Sequence, residues 1–216
     1  MLEYTVKRAT GAVPLEGKPV GPVWEGAVTA GMNDAMTGKP PKLTTKFRML
    51  YDAVNLYIGY EVEDDVIFAS FTDHDYPLYN EDVVEAFLSP TGNQHCYYEF
   101  EFSPNAVVFD AVVLNDGGDE GKGRGKRFQP LTGWDCEGLQ VAVDKQPARR
   151  LWTVTVAVPF VELHLADNRA PAAGTRWRGN LFRIEYGGKE VEYSAWSSTG
   201  LCDFHTSARF GSIVFA

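Results

Sequence analysis

The chain has 216 residues, 44% of them hydrophobic and 13% aromatic, which suits one large all-β domain with an ample core. Its formal net charge of −9 argues against a nucleic-acid partner, because phosphate neutralisation needs clustered Lys and Arg, and equally against docking on an anionic membrane. No apolar run reaches the ~18 residues that a membrane span requires.

In chain order, residues 1–8 contain no basic stretch leading into an apolar one, so no signal peptide is visible. Cys96, Cys136 and Cys202 are odd in number and lack metal-ligand spacing; they read as reduced thiols of a cytoplasmic protein. Trimming of a longer precursor would leave the same N-terminus. Residues 1–20 or so lead toward Pro14, Pro19 and Pro22 and read as a lead-in arm. A strand is expected near 43–50. After the Asp52–Asn55 turn, residues 55–63 place Leu56, Ile58, Tyr60 and Val62 on one face, with Glu61 and Glu63 on the other. Strands are expected near 66–72 and 83–88. Residues 97–102 set Tyr98, Phe100 and Phe102 against Glu99 and Glu101.

A strand near 106–114 leads into Asn115–Arg127, NDGGDEGKGRGKR, with five glycines and no apolar residue. Such a segment buries almost nothing and is expected to be a mobile, solvated loop rather than a nucleic-acid patch. Alternation returns at 139–144 and at 151–158, where Trp152, Val154, Val156 and Val158 point inward. Pro159–Leu165 is expected to be a short helix. Further strands are expected near 178–186, 190–196 and 210–215. Many short strands between frequent turns, with at most one or two short helices, specify an all-β antiparallel sandwich or barrel, one domain over 1–216.

Four groupings could carry a site. Glu85 lies between valines and Phe87, so it must reach solvent, a cation or a donor; a strand-edge Glu paired with Lys or Arg is the plainer alternative. In Asn180–Tyr186, alternation points Phe182, Ile184 and Tyr186 inward and projects Arg183 and Glu185 from the opposite face, which an ordinary solvated face would also explain. Trp196 shares the face of Glu192 and Ser194, and is either covered by a loop or kept for a ligand. Glu61, Glu63, Asp64, Asp65, Asp73 and Asp75 form an acidic set able to hold Ca²⁺, or simply an acidic surface. The four histidines are scattered, and there is no HExxH, GxSxG, P-loop or GxGxxG in its required context.

The order of these motifs resembles the family 9 carbohydrate-binding modules. The landmarks are Leu50-Tyr51-Asp52, Asn55-Leu56-Tyr57-Ile58, Glu63-Asp64, Tyr79 to Leu88, Tyr98 to Asn105, Trp152-Thr153-Val154, Val158-Pro159-Phe160, Arg183-Ile184-Glu185, Ala195-Trp196-Ser197, Phe204-His205 and Arg209-Phe210-Gly211, together covering roughly 20–216. The resemblance implies a jelly-roll β-sandwich that binds the end of a mono- or oligosaccharide without catalysis. It implies Tyr79 and Trp196 as two clamp rings, Glu85 as acceptor and Arg183 as donor to sugar hydroxyls. It requires no cofactor, allows structural calcium, and associates such modules with glycoside-active enzymes in secreted proteins. The family's first clamp ring is usually Trp, where this chain has Tyr79. Two other expectations stand beside it: a haem-binding sandwich using Met49 and His205, and a glycoside-active enzyme using an unrecognised carboxylate pair.

Overall fold

Period-two alternation is realised as strands throughout the computed structural model, which describes residues 1–118 and 122–216. The strands are β1 (Glu3–Arg8), β2 (Thr29–Gly31), β3 (Asn33–Asp34), β4 (Thr45–Tyr51), β5 (Asn55–Glu63), β6 (Val83–Ser89) and β7 (Cys96–Phe102). They continue as β8 (Val108–Leu114), β9 (Gln129–Leu131), β10 (Gln140–Gln146), β11 (Leu151–Pro159), β12 (Arg176–Glu185), β13 (Glu192–Ala195) and β14 (Gly211–Phe215). They build an antiparallel β-sandwich of jelly-roll type. One layer runs β10-β11-β5-β4, with β2 on β4; the other runs β14-β12-β6-β7-β8-β9, with β13 beside β12 and β3 beside β13.

The lead-in arm is a correction. Residues 3–8 form β1, which pairs in parallel with β14 through Glu3–Val6 and with β4 through Lys7 and Arg8, joining the two layers. Tyr4 and Val6 are buried in the core, and the Tyr4 hydroxyl accepts the Met49 backbone N–H at 2.7 Å. The prolines that suggested an arm fall later. That segment lies over the outer face of the first layer, where Pro19 and Trp24 leave Gly59 no room for a Cβ, which would meet a Pro19 side-chain carbon at 2.3 Å. Trp24 sits in a single-turn helix, α1 (Pro22–Glu25), and is fully buried against Leu50, Tyr57 and Ala157.

Two further expectations change. Residues 66–72 form no strand, because Asp82 and Glu81 carboxylates take the backbone N–H groups of Phe68, Ser70 and Phe71 that a ladder would use. Residues 159–165 form two 3₁₀ turns, Phe160–Glu162 and His164–Ala166, rather than one helix.

Between the layers, Phe47, Met49, Ile58, Tyr60, Trp152 and Val154 meet Val84, Ala86, Leu88, Tyr98, Phe100 and Leu181. A second apolar cluster, including Phe87, Tyr97, Phe109, Phe182, Ile184 and Phe204, lies on the outer face of the β12-β6-β7-β8 sheet. That sheet is therefore buried on both faces, and the second cluster is the floor on which a site is built.

Candidate functional site

Antiparallel pairing of β6 with β7 sets Glu85 directly opposite Glu101. Glu99, two residues along β7, projects from the same face. One carboxyl oxygen from each of the three lies within 4.8 Å of the others. All three are buried, and they line a cavity of about 380 Å³ on the outer face. That volume is within the range of small-molecule sites. Tyr79, in the middle of a 3₁₀ turn over 78–80, stands at its mouth and is 47% exposed. Its ring meets Phe109 edge-on at 6.5 Å. Phe128, Tyr186, Tyr193 and Phe204 supply further aromatic lining. Phe204 is held by stacking on Phe182, with centroids 4.1 Å apart.

The electrostatics follow from burial. Glu99 is pushed up to about 8 by loss of solvent, and Glu85 and Glu101 are raised as well, by burial first, then by the charge of Glu99 for Glu85 and of Glu85 and Glu99 for Glu101. At neutral pH the floor is therefore largely carboxylic acid, able to donate as well as accept hydrogen bonds. His205 lies with Nε2 3.8 Å from Glu99, while its Nδ1 contacts the Tyr97 hydroxyl at 3.0 Å. Burial lowers His205 to about 4, so near neutrality that contact joins an uncharged imidazole to a carboxylic acid.

The Gly-rich segment contributes a wall. Residues 119–121, within the loop expected to be mobile, lie outside the described residues, but both flanks are anchored. Asn115, buried, donates to the His205 carbonyl at 2.9 Å and accepts the Gly125 N–H at 3.0 Å. Gly123 N–H reaches the Thr206 hydroxyl at 3.0 Å. Arg124 pairs with Asp203 at 3.4 Å and lies over the Phe128 ring. Glycine suits Gly123, whose φ is 68° and whose added Cβ would meet an Asp203 carboxyl oxygen at 2.7 Å.

Of the four residues expected in the site, Tyr79 and Glu85 are brought together and Arg183 and Trp196 are not. Alternation along β12 sends Phe182 and Ile184 to the outer face and Leu181 and Arg183 between the layers, the reverse of the inward set expected. Arg183 is 1% exposed and bonds Asp64 at 3.2 Å, and Asp64 also accepts the Trp152 indole N–H. Trp196 does share the face of Ser194, but that face is the interior. Its ring packs edge-on against Tyr4 at 6.1 Å and Phe47 at 6.0 Å and lies over Gly211. The opposite layer covers its apolar area, which removes the need for a ligand. Met49 is likewise buried between the layers and His205 lies on the outer face, so the two cannot ligate one haem.

Glu99, Glu101 and the lining rings 128, 186, 193 and 204 were not singled out from the sequence. A signal existed for the first two: Glu99 and Glu101 share a face on a strand adjacent in sequence to that of Glu85, and a hairpin register brings them together. A second cluster of metal-ligating groups, His74, Asp75, Asp110 and Asp135, lies outside the groove. Calcium takes six to eight oxygen ligands. The imidazole of this set is not a calcium ligand, whereas the three groove carboxyls offer oxygen alone.

A family model described as carbohydrate family 9 binding domain-like matches residues 15–215. The chain belongs to this family. Carbohydrate binding without catalysis is the activity that goes with it. A family 9 carbohydrate-binding module from Caldicellulosiruptor kristjanssonii, solved in complex with cellotriose, superposes with a TM-score of 0.69 at 15% identity, covering 99% of this chain and 93% of that one. The module from the same organism solved with glucose gives 0.66 at 16% identity, covering 98% and 95%. A protein from Bacteroides uniformis inferred to bind carbohydrate gives 0.74 at 18% identity and 99% coverage of both chains. A curated relative from Arthroderma benhamiae, named an extracellular protein, is 26% identical over 180 residues, 79% of this chain and 78% of its own length. That name lends no support to the cytoplasmic expectation. Among the described residues no helix is long and apolar enough to cross a membrane, and Cys96, Cys136 and Cys202 are free.

Proposed function

We propose that the outer-face groove holds the end of a mono- or oligosaccharide, with Tyr79 as one stacking wall and Glu85, Glu99 and Glu101 bonding the hydroxyl rim. The observation that carries this reading is the half-exposed Tyr79 ring at the mouth of an aromatic-lined cavity whose floor is hydrogen-bonding carboxyl groups. A pyranose has apolar C–H faces that a ring covers, and a rim of hydroxyls that both donate and accept. Carboxylic acids answer both roles, which carboxylates alone would not. The clamp is thus Tyr79 with a second ring drawn from Phe128, Tyr186, Tyr193 and Phe204, rather than Tyr79 with Trp196. The relatives solved with cellotriose and glucose supply the first ligands to try.

Isothermal titration calorimetry against glucose, cello-oligosaccharides and a panel of other mono- and oligosaccharides tests the reading. Saturable heat with at least one sugar, reduced in Tyr79→Ala, is expected. Absence of binding across the panel, or full affinity in Tyr79→Ala, overturns it.

A further inference from the structure

The groove floor has an excess of acceptors over donors that a neutral sugar does not use up. The three carboxyl groups converge on one point, each with an oxygen within 4.8 Å of the others. Glu101 is 1% exposed, and neither of its oxygens makes a hydrogen bond of ordinary geometry among the described residues, with the Glu99 carboxyl and the Tyr79 backbone N–H beside it. A buried acceptor left unmade carries its full desolvation penalty. The charged and titratable groups that could answer the floor are otherwise engaged. Arg124 is paired with Asp203. His205 is uncharged near neutrality. The remaining titratable lining groups, Tyr79, Tyr186, Tyr193 and Cys202, carry no positive charge.

Resting on the sugar-binding reading, we propose that this groove selects a sugar carrying a free, protonated amine, such as a hexosamine, its ammonium seated among Glu85, Glu99 and Glu101 while its ring stacks on Tyr79. An ammonium presents three N–H donors from one atom, whereas a hydroxyl presents one. Three convergent carboxyl groups match the first and leave acceptors idle with the second. Hydrogen bonds in which the donor or the acceptor is ionised are about twice as strong as neutral ones. Seating the cation requires at least one carboxyl to ionise. Glu99, raised to about 8, gives up its proton near neutral pH at modest cost, with Glu101 and Glu85 keeping theirs. Binding therefore releases a proton to solvent, and a neutral sugar releases none. N-acetylation of the amine removes both the charge and two of the donors, so it removes the preference.

The test is calorimetry of the full chain at pH 7 with D-glucosamine, D-glucose, N-acetyl-D-glucosamine and CaCl₂, each in two buffers of different ionisation enthalpy. Glucosamine is expected to bind at least ~10-fold more tightly than either glucose or N-acetylglucosamine, a margin that one charge-assisted contact supplies. The glucosamine heat alone is expected to differ between buffers, reporting the released proton. Glu99→Gln, of the same shape and unable to ionise, is expected to erase both the preference for glucosamine and the buffer dependence of its heat. Equal affinity for glucose and glucosamine overturns this inference and leaves the sugar-binding reading standing, and so does a preference for the acetylated sugar. Saturation by Ca²⁺ that blocks glucosamine assigns the three carboxyls to a metal instead and overturns the inference. Binding of no sugar at all overturns both. The wild-type comparison of the three sugars decides the matter even where a variant fails to fold.

Discussion

Tyr79 and Trp196 lie on opposite faces of the same sheet, and substitution separates their roles. Truncating Tyr79 removes a ring that is about half exposed and, among the described residues, has Phe109 as its one ring neighbour. Tyr79→Ala is expected to weaken sugar binding by about fivefold or more, from roughly 1 kcal/mol of lost stacking, with little change in the unfolding midpoint. Trp196→Ala is expected to do the converse. The indole is 6% exposed and filled in by Tyr4, Phe47 and Gly211, so its loss opens a cavity and costs about 3–5 kcal/mol in denaturant unfolding. The approach of Gly211 is a second probe of the same contact. A Cβ there would stand 2.4 Å from the indole ring, so Gly211→Ala is expected to cost about 1–3 kcal/mol by overpacking. A Trp196→Ala protein that keeps its stability and loses sugar affinity would return Trp196 to the site.

At the scale of elements, β1 decides how the two layers are held. Among the described residues it is the one strand paired with both, and its Tyr4 hydroxyl receives the Met49 N–H of β4 and donates to the Val28 carbonyl. Tyr4→Phe strips a buried N–H and a carbonyl of their partner together, so a loss of about 1–3 kcal/mol is expected by urea titration, with sugar binding retained. An unchanged midpoint would mean that the hydroxyl is dispensable and that pairing alone anchors β1. The reason β1 was not legible is physical. Its alternation spans only Tyr4 and Val6, and β1 gains its meaning from partners some forty and two hundred residues away. The long strands were legible because one face met the core and the other carried charge, as in β5 and β7. β12 misled because both of its faces are covered: polarity marks Arg183 as outward, while the inter-layer space holds Asp64 ready for it. Glu85 was legible as a carboxyl in an apolar strand. What made it part of a site, Glu99 and Glu101 across the hairpin, stood only as the polar side of a half-buried strand, because alternation reports which residues share a face and not what the loops later put over it. Residues 64–76, 115–118, 122–128 and 199–210 do that covering, and their aromatic residues carry no periodic signature.

For the whole molecule, a floor of buried acids fixes how stability responds to pH. A carboxyl whose folded value is raised favours the fold in its protonated form. Its stabilisation is complete below the unfolded value near 4.5 and disappears as pH rises through the folded one, which for Glu99 is about 8. Glu85 and Glu101 act in the same direction. Asp82 and Asp110, both raised to about 6 by burial, add to the loss at lower pH. His205 works the other way. Lowered to about 4, it makes the fold relatively more stable as pH climbs from there through 6.5, and its contribution levels off about a unit above that. The opposing terms overlap most below pH 6.5, so the window to read is pH 6.5–8, where the buried glutamates dominate. Chemical denaturation across that window is expected to show stability falling as pH rises, by an amount of order a few kcal/mol. Glu99→Gln, which cannot ionise, is expected to flatten the slope. Ligand sharpens the argument. A neutral sugar bonded to carboxylic acids should keep the falling slope, whereas a seated ammonium, stabilising the ionised floor, should reduce or reverse it. A stability curve that is flat from 6.5 to 8 in the unliganded protein would mean that Glu85, Glu99 and Glu101 are already ionised there, and the carboxylic-acid floor would have to be abandoned.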